Sequence, residues 1–504
     1  PAPYGRGPDT IVDPKVRRCG QVPAENVRVD DPRWERTVDG IVTQAAAALG
    51  VDGNVRADLY KLLVYQPGDH VQSRELATIS SLLDSESGIV RLVHEALVAS
   101  GAKPGTGRAA PTAEQVLRCL VIKMTYGFSY RDLEFHIADS TTFRAFCRFG
   151  LADACPSKSS LQRNIKCLPA DCLEAINRII VARAIADDVE SGRKARVDCT
   201  VTETNIHDPT DSSLLWDCAR VLTRLANQAR EMNGLAFDDH SRTAKRRAIA
   251  IQNAKTPEQR LKLYKDLVEV TWRVREDALR LAAALENSKA KMDMFDQLAA
   301  EALCADMEHY AELTKQVIWQ TERRVMLGES LPPSEKIVSI FEPHTDIIKK
   351  DRREVCYGHK ICLTTGASNL VFDVVVEDGN PADSTLAVRM AQRVTTVLGT
   401  PPRQMAMDGG FSSKSNVEDI KALGVRDVAF SKSPGIEVEE MVSSQRVYRM
   451  LRNFRAGIEA GISWLKRALG LTRCNWKGLE AFKSYVWSSV VTANLLTMAR
   501  HGAS

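Results

Sequence analysis

Three acidic residues occupy positions from which carboxylates can meet at a metal ion. Asp198 lies on the polar side of a predicted β-strand. Asp408 closes another predicted strand and precedes two glycines, so its side chain can reach the sheet edge where open α/β folds place their sites. Glu459 lies on a predicted helix, beside its regular apolar seam. Carboxylates from two strands and one helix can hold two Mg²⁺ ions about 4 Å apart, an arrangement that serves phosphodiester chemistry.

Basic residues share the predicted helix of Glu459. Arg452, Arg455 and Lys466 fall at helical spacings on the same stripe as that acid. A carboxylate flanked by cations suits an acid that meets a metal and cations that meet phosphates. We therefore expect two Mg²⁺ ions as cofactor, for which Mn²⁺ can substitute.

Each of these residues also has an ordinary structural explanation. An Asp followed by Thr is common in strands, and Asp408-Gly-Gly is a frequent turn sequence. Arg455 and Glu459 can form a surface pair that contributes about 0.3–0.5 kcal/mol and has no function. Only the combination favours a functional site.

The elements that must position these residues are strands around a long helical block. Alternation of apolar and polar residues from 194 to 202 predicts the strand that carries Asp198. Further strands are predicted at 336–341, 359–365, 370–377, 403–407 and 427–431, and helical segments at 384–398 and 444–503. Residues 209–330 have helical patterns almost throughout. This order predicts an α/β core with a large helical insertion after its first strand.

Short helices are predicted between residues 111 and 190. Thr112 and Gln115 form a capping-box pattern that starts the first helix, and Gly127 ends it. Exposed cations are expected between the apolar positions of this region, at Arg131, Arg144, Arg148, Lys158, Arg163 and Lys166. Short helices, tight turns and cations are typical of a helix-turn-helix-like DNA-binding region. They fit a plain helical bundle with solvated cations equally well, and the residue types leave both open.

The chain before residue 111 has a less regular pattern. Residues 1–32 are rich in Pro and Gly, which predicts a loose arm. A helical pattern occurs at 59–64, and one or two amphipathic helices are predicted at 76–100.

The predicted insertion contains a basic stretch. Residues 242–280 hold 11 Lys and Arg against 5 Asp and Glu, including Lys245, Arg246 and Arg247. These three consecutive cations predict a contact with DNA phosphates, and a solvated helix face is the alternative.

The order of these segments resembles one enzyme family. Arg455-x3-Glu459-x6-Lys466 matches three residues of the Tyr-x2-Arg-x3-Glu-x6-Lys signature of DDE transposases from bacterial insertion sequences. Asp198 and Asp408 precede this helix in the family's chain order. Other similar segments are 126–134, 143–144, 204–207, 209–215, 358–360 and 378–386. The resemblance extends over residues 111–500.

This resemblance implies a ribonuclease H-like catalytic core in which Asp198, Asp408 and Glu459 are metal ligands. It implies that Arg455 and Lys466 contact the DNA of the element ends. Arg452 departs from the family, because it stands at the Tyr position of the signature. A cation there can contact phosphate but cannot stack on a flipped base as Tyr can.

Length and composition agree with an ordinary globular protein. The 504 residues include 68 Lys and Arg and 64 Asp and Glu, a net charge of +4 that leaves phosphate contacts to local basic surfaces. At about 150 residues per domain, several domains are expected. We predict an N-terminal arm and helices at 1–110, a helix-turn-helix-like DNA-binding region at 111–190, a ribonuclease H-like core at 191–208 and 331–504, and the helical insertion at 209–330.

The 12 cysteines are scattered and form no Cys-x-x-Cys pair, which favours reduced thiols over a zinc site. No apolar run approaches the roughly 20 residues that cross a bilayer. We therefore expect no membrane partner and a cytoplasmic location, with association with the nucleoid when the protein is bound to DNA.

The sequence thus predicts a transposase that binds the ends of its element and catalyses metal-dependent DNA cleavage and strand transfer. Its expected partners are double-stranded DNA, at element ends and target, and further copies of the chain in a homodimer or higher assembly. One alternative is a metal-dependent nuclease of the same fold that does not join strands. The other is a catalytically inactive DNA-binding descendant, against which the presence of all three acids argues.

Overall fold

The computed structural model describes residues 4–6, 9–11, 19–23, 38–40, 42, 61–65, 71–102, 104–105, 110–150, 153–350, 354–431 and 435–501. The chain divides into two compact units, residues 1–82 with 502–504, and residues 83–501. No helix among the described residues is long and apolar enough to cross a membrane.

The smaller unit contains two strand pairs. Strand β1 (Tyr4–Arg6) pairs antiparallel with β2 (Asp9–Ile11), and β3 (Cys19–Pro23) pairs antiparallel with β4 (Lys61–Tyr65). The expected loose arm therefore contains strands. The helix predicted at 59–64 is wrong, because the backbone of Leu62, Leu63 and Val64 pairs with β3 instead of forming a helical turn.

Seven helices lie between residues 71 and 186, before the main sheet. They are α1 (Val71–Ser85), α2 (Ser87–Ala99), α3 (Ala113–Tyr126), α4 (Tyr130–Asp139), α5 (Thr141–Phe146), α6 (Lys158–Lys166) and α7 (Ala170–Ala186). The predicted capping box is confirmed, since Thr112 and Gln115 exchange two hydrogen bonds at the start of α3. Gly127 ends that helix with a left-handed φ of 66°.

Helices α3, α4 and α6 pack against one another. Residues 140–157 separate α4 from α6, so this pair lacks the turn of three or four residues that joins a simple helix-turn-helix. The expectation that Arg144 is exposed is wrong. Its guanidinium is buried because it donates to the carbonyl oxygens of Gly150 and Asp153, which gives these groups a partner inside the protein.

A mixed sheet forms the centre of the larger unit. Its strands are β5 (Lys194–Thr204), β6 (Asp346–Lys350), β7 (Glu354–Thr365), β8 (Val371–Val376), β9 (Gln404–Met407), β10 (Asp427–Phe430) and β11 (Arg473–Cys474). The order is β10-β9-β5-β7-β6, with β11 also paired to β5 and β8 to β7. Strand β9 runs parallel to β5 and β10, whereas β7 runs antiparallel to β5. Strand β5 is therefore central, with neighbours on both sides.

Helices connect the later strands of the sheet and pack on it. Helices α12 (Asp383–Leu398), α13 (Lys414–Ala422), α14 (Val438–Met441), α15 (Gln445–Ala468) and α16 (Leu479–His501) alternate with or follow the later strands. Helix α16 is buried along most of its length and packs against α7 and β8. Helix α15 contacts β5, β9 and β10, so it crosses the sheet where Asp198 and Asp408 lie.

The block between β5 and β6 is helical. It consists of α8 (Asp211–Asn233), α9 (Ser241–Gln252), α10 (Pro257–Ser288) and α11 (Met294–Thr321). These helices share their own apolar core, whose fully buried members include Leu222, Leu267, Leu281, Met307 and Val317. A core of this kind lets a long insertion fold without taking apolar surface from the sheet.

The strand predicted at 336–341 is absent. The backbone amide and carbonyl of Ile337 instead hydrogen-bond to the side chain of Gln320 on α11, at 2.9 and 3.0 Å. Because backbone polar groups must find partners when they are buried, this side-chain pairing replaces the ladder that a strand would need. The first strand after the insertion is β6, ten residues later in the chain.

A buried chain of hydrogen bonds fastens the end of the insertion to the sheet. Glu342 bonds to His344, His344 to His359, and His359 to Asp346, at 2.7, 2.7 and 2.8 Å. The amide of Gly478, at the start of α16, also donates to Glu342 at 2.8 Å. Burial lowers the pKa of His344. The cluster joins the segment before β6, strand β7 and the last helix.

Replacement of Arg118 by Met is expected to destabilise the larger unit. The Arg118 guanidinium is fully buried, bonds to Asp84 and Glu114 at 2.7 and 2.9 Å, and donates to the carbonyl of Phe146 at 3.1 Å. Its loss leaves the buried carbonyl oxygen of Phe146 without a donor, so the free energy of unfolding should fall by about 1–3 kcal/mol. The midpoint of urea unfolding measures this change.

Arg91→Met provides the matched control, because Arg91 forms an exposed pair with Glu95 at 3.9 Å. The control should stay within about 0.5 kcal/mol of the wild type. Equal effects of the two substitutions would contradict the structural role of the buried guanidinium.

Candidate active site

One guanidinium group contacts all three predicted catalytic acids. Arg455 on α15 donates from Nη2 to Asp198 Oδ2 at 2.9 Å and from Nη1 to Glu459 Oε1 at 2.9 Å. The same Nη2 lies 3.5 Å from Asp408 Oδ1. The Arg455 side chain is only 15% exposed. Residues far apart in the sequence are thus gathered around one cation, which partly offsets the repulsion between three carboxylates.

Asp198 is the most enclosed of the three acids. It lies within β5, between the paired strands β7 and β9, and its side chain is 14% exposed. Its Oδ1 accepts a hydrogen bond from the backbone amide of Cys199 at 2.8 Å. Burial raises the pKa of Asp198 to about 6, and the positive charge of Arg455 offsets this only in part.

Asp408 follows the last residue of β9 and is held by a serine that the sequence patterns did not single out. The hydroxyl of Ser431 donates to Asp408 Oδ1 at 2.6 Å and accepts from the amide of Gly409 at 3.0 Å. The adjacent Gly410 passes close to Asp383, since a Cβ there would lie 2.8 Å from a carboxylate oxygen. The absence of a side chain lets the turn after Asp408 lie against the start of α12.

Glu459 lies on the exposed side of α15, and its side chain is 68% exposed. The apolar seam predicted for this helix provides the buried face, on which Leu451, Ile458 and Leu465 are almost fully buried. Ser444 caps the helix by accepting from the amide of Val447. The packed seam fixes the rotation of α15 and so directs Arg455 and Glu459 to the site.

A second buried arginine sets how closely α15 approaches the sheet. Arg196, two residues before Asp198 on β5, donates to the carbonyl of Phe454 at 2.7 Å and to Thr365 Oγ1 at 3.0 Å. Its guanidinium also lies 4.7 Å from the centroid of the Phe454 ring. One turn further on, a Cβ at Gly457 would lie 2.4 Å from Arg196 Nη1. The helix therefore needs Gly457 in order to lie on Arg196.

A cleft of about 400 Å³ opens beside Asp198 and Glu459. Lys466, predicted to bind DNA, lines it. Arg467 also lines it and was not predicted, although it directly follows the signature lysine. The remaining lining residues are Cys199, Thr200, Ile462, Ser463 and Thr472. Cations and hydroxyl groups next to two acids suit an anionic ligand with ester oxygens.

The other predicted DNA-binding residues do not line this cleft. Arg452 is exposed on α15, and its guanidinium lies 6.0 Å from the centroid of the Tyr448 ring. Lys245 and Arg246 are exposed on α9 of the insertion. Arg247, beside them, lies 3.4 Å from Asp266 and so has an acidic partner within the protein.

Carboxylate oxygens are the ligands that Mg²⁺ and Mn²⁺ prefer, so the three acids fit a divalent metal in kind. Within the described residues, however, no three His, Cys, Asp or Glu side chains are grouped closely enough to hold a metal ion. The nitrogen atoms of Arg455 lie among the carboxylates instead. A metal-binding arrangement therefore requires that this guanidinium moves away.

Two protein-family models match the chain. One, described as a transposase domain (DUF772), matches residues 64–167, and the other, described as a transposase DDE domain, matches residues 336–495. The second match contains Asp408, Arg455 and Glu459, and its family is consistent with a ribonuclease H-like fold for the mixed sheet and its helices. No curated protein and no solved structure matches the chain.

Two glycines of α15 should respond oppositely to substitution by Ala. Gly461 has room, because a Cβ there would lie 3.8 Å from its nearest neighbour, the side-chain oxygen of Asn369. Gly461→Ala should therefore stabilise the protein by up to about 1 kcal/mol through helix propensity. Gly457→Ala should destabilise it by about 1–3 kcal/mol, because Arg196 is held by several hydrogen bonds and cannot easily yield.

Thermal unfolding of both variants, followed by circular dichroism, measures the difference. A Gly457→Ala variant as stable as Gly461→Ala would show that α15 does not rest on Arg196 in the way described.

Proposed function

We propose that this DDE transposase of an insertion sequence binds the ends of its element and uses Asp198, Asp408 and Glu459 to cut and rejoin DNA. The observation that carries the proposal is the convergence of these three acids on Arg455, beside a cleft lined by Lys466. The family matches supply the coarser conclusion of a nucleic-acid-cleaving transposase. The residue roles and the joining step are our proposal.

The proposed metal ligands are the three acids. Divalent metal bound there, Mg²⁺ in our proposal with Mn²⁺ as a substitute, would stabilise charge on the attacking and leaving oxygens of a phosphodiester. Ser431 and the amide of Cys199 orient the carboxylates of Asp408 and Asp198. Held in this way, the acids need little reorganisation when charge develops in the transition state.

Arg455 has a double role in this proposal. Before DNA binds, its guanidinium partly offsets the negative charge of the three acids. A DNA phosphate offers a planar pair of oxygen acceptors that a guanidinium binds in a bidentate way. Transfer of Arg455 to a phosphate would orient the DNA and release the carboxylates in the same movement. Lys466 would contact the phosphate further into the cleft.

Double-stranded DNA is thus the proposed partner, and a homodimer or higher assembly is the proposed active form, because an element has two ends to be held. The proposed end contacts are Lys466, which lines the cleft, and Arg455 beside the acids, with Arg452 one helical turn away. Residues 245–247 on α9 are proposed to lie along DNA outside the cleft.

Isosteric replacement of the acids should separate binding from cleavage. Asp198→Asn, Asp408→Asn and Glu459→Gln keep side-chain size but remove charge from a metal ligand. Cleavage of a labelled element end in Mg²⁺ should fall by orders of magnitude, since the metal acts on transition-state charge. End binding, measured in Ca²⁺, should largely survive.

Arg455→Ala and Lys466→Ala are the contrasting variants, in which end binding should weaken by about 1–3 kcal/mol for each lost charge-assisted hydrogen bond. Full cleavage by Glu459→Gln would defeat the assignment of the three acids. Cleaved but never joined products from the wild type would instead identify a nuclease of the same fold.

Replacement of Lys245, Arg246 and Arg247 together by Ala should reduce the salt dependence of DNA binding. Each lost phosphate contact lowers the slope of log K against log salt by about 0.9. Lys245 and Arg246 are the exposed members, so we expect a change of about two such contacts. Binding titrations at several salt concentrations measure the slope.

Lys315→Ala on α11 is the control, because Lys315 forms an exposed pair with Glu312 and should leave the slope unchanged. An unchanged slope in the triple variant would show that α9 does not lie along DNA.

A further inference from the structure

Helix α6 presents an exposed row of polar and basic side chains. Lys158, Gln162 and Arg163 are exposed, and in the described part of the chain their side chains form no hydrogen bond or ion pair. Helix α6 contains no acidic residue, whereas Lys166 adds a third cation. These donors are therefore available to an outside ligand.

Five other arginines of the same helical region are engaged, whereas Arg131 on α4 is exposed with no hydrogen bond or ion pair among the described residues. Carboxylates hold Arg118, Arg148, Arg178 and Arg183, and backbone carbonyls hold Arg144. Most arginine side chains of this helical region therefore have a partner, and donors without one are the exception. Their concentration on one short helix distinguishes α6 from α3 and α7.

The opposite face of α6 is anchored. Leu161 and Ile165 are almost fully buried, and the helix packs on α3 and α4. Ser157 caps its first turn by accepting from the amide of Ser160 at 3.3 Å. The exposed face therefore projects from a supported element, as a surface that must recognise a fixed pattern requires.

We propose that α6 enters the major groove of duplex DNA and reads base edges in the element end, an inference that rests on the proposed function. An α-helix fits this groove, and recognition helices present their N-terminal residues to the bases. At about 1.5 Å of rise per residue, residues 158–163 extend over about two base-pair steps.

The side chains of α6 are better suited to base edges than to a ligand that offers only negative charge. Arg163 can donate two hydrogen bonds to guanine, and Gln162 can both donate to and accept from adenine. Lys158, at the N-terminal end of the helix, suits a phosphate, which the helix dipole also favours. An acidic protein segment would use the cations but would have no use for the paired donor and acceptor of Gln162.

Selection from a random DNA pool tests this assignment on the full chain. Duplexes with 20 random base pairs are incubated with the wild-type protein, and the bound fraction is sequenced. The affinity for the enriched duplex is then compared with that for a scrambled duplex, in the wild type, Gln162→Ala, Arg163→Ala and Lys158→Ala. Arg91→Ala, an exposed arginine on α2, is the control.

Gln162→Ala and Arg163→Ala should each lower the preference for the enriched duplex by roughly 5- to 150-fold, the range of one bidentate base contact. Lys158→Ala should weaken both duplexes equally, and the control should change neither. Equal weakening of both duplexes by Arg163→Ala and Gln162→Ala would overturn base reading by α6.

An unchanged preference in all α6 variants, with unfolding midpoints like that of the wild type, would place recognition elsewhere and leave the proposed function intact. A wild-type protein that enriches no sequence would contradict sequence-specific end binding itself, and the inference with it. The two failures are therefore distinguishable.

Discussion

The contact between Arg455 and three carboxylates is the interaction on which the arrangement of the site depends. Asp198, Asp408 and Glu459 come from a strand, the residue after a second strand and a helix, and like charges so close together would repel one another without a cation between them. Asp198 is also buried enough that its pKa rises to about 6. In the proposed function, the guanidinium lets the acids remain together before DNA or metal arrives. In the same proposal, it has to move before the acids can share a metal ion.

Contacts around the site fix the distance of α15 from the sheet and the rotation of this helix about its axis. Arg196 and Gly457 set the distance between helix and sheet, and the buried seam sets the rotation. The insertion can follow β5 directly because its helices have their own core. Hydrogen bonds among Glu342, His344, His359 and Asp346 then hold the segment after the insertion against the sheet.

The sequence was sufficient where a local pattern determines the outcome. The capping box at Thr112, the helical seam of α15 and the strand of Asp198 each depend on nearby residues, and each is present in the structure. Predictions failed where a partner outside the helix or strand itself determines the structure. Ile337, within the strand predicted at 336–341, bonds to Gln320 on α11 rather than to a strand, and Arg144 donates to carbonyl oxygens in the loop that follows its helix. Ser431 and Arg196 carry no spacing signal, because their roles arise only when strands and helix meet.

The central claim is that the three acids form one metal site whose place Arg455 occupies before DNA binds. A crystal of the protein with a cleaved element end and Mn²⁺ tests it by anomalous scattering. The account predicts anomalous density in contact with carboxylate oxygens of Asp198, Asp408 and Glu459, and Arg455 bound to a DNA phosphate. Manganese located away from these acids, or Arg455 still bonded to all three with DNA in the cleft, would contradict it.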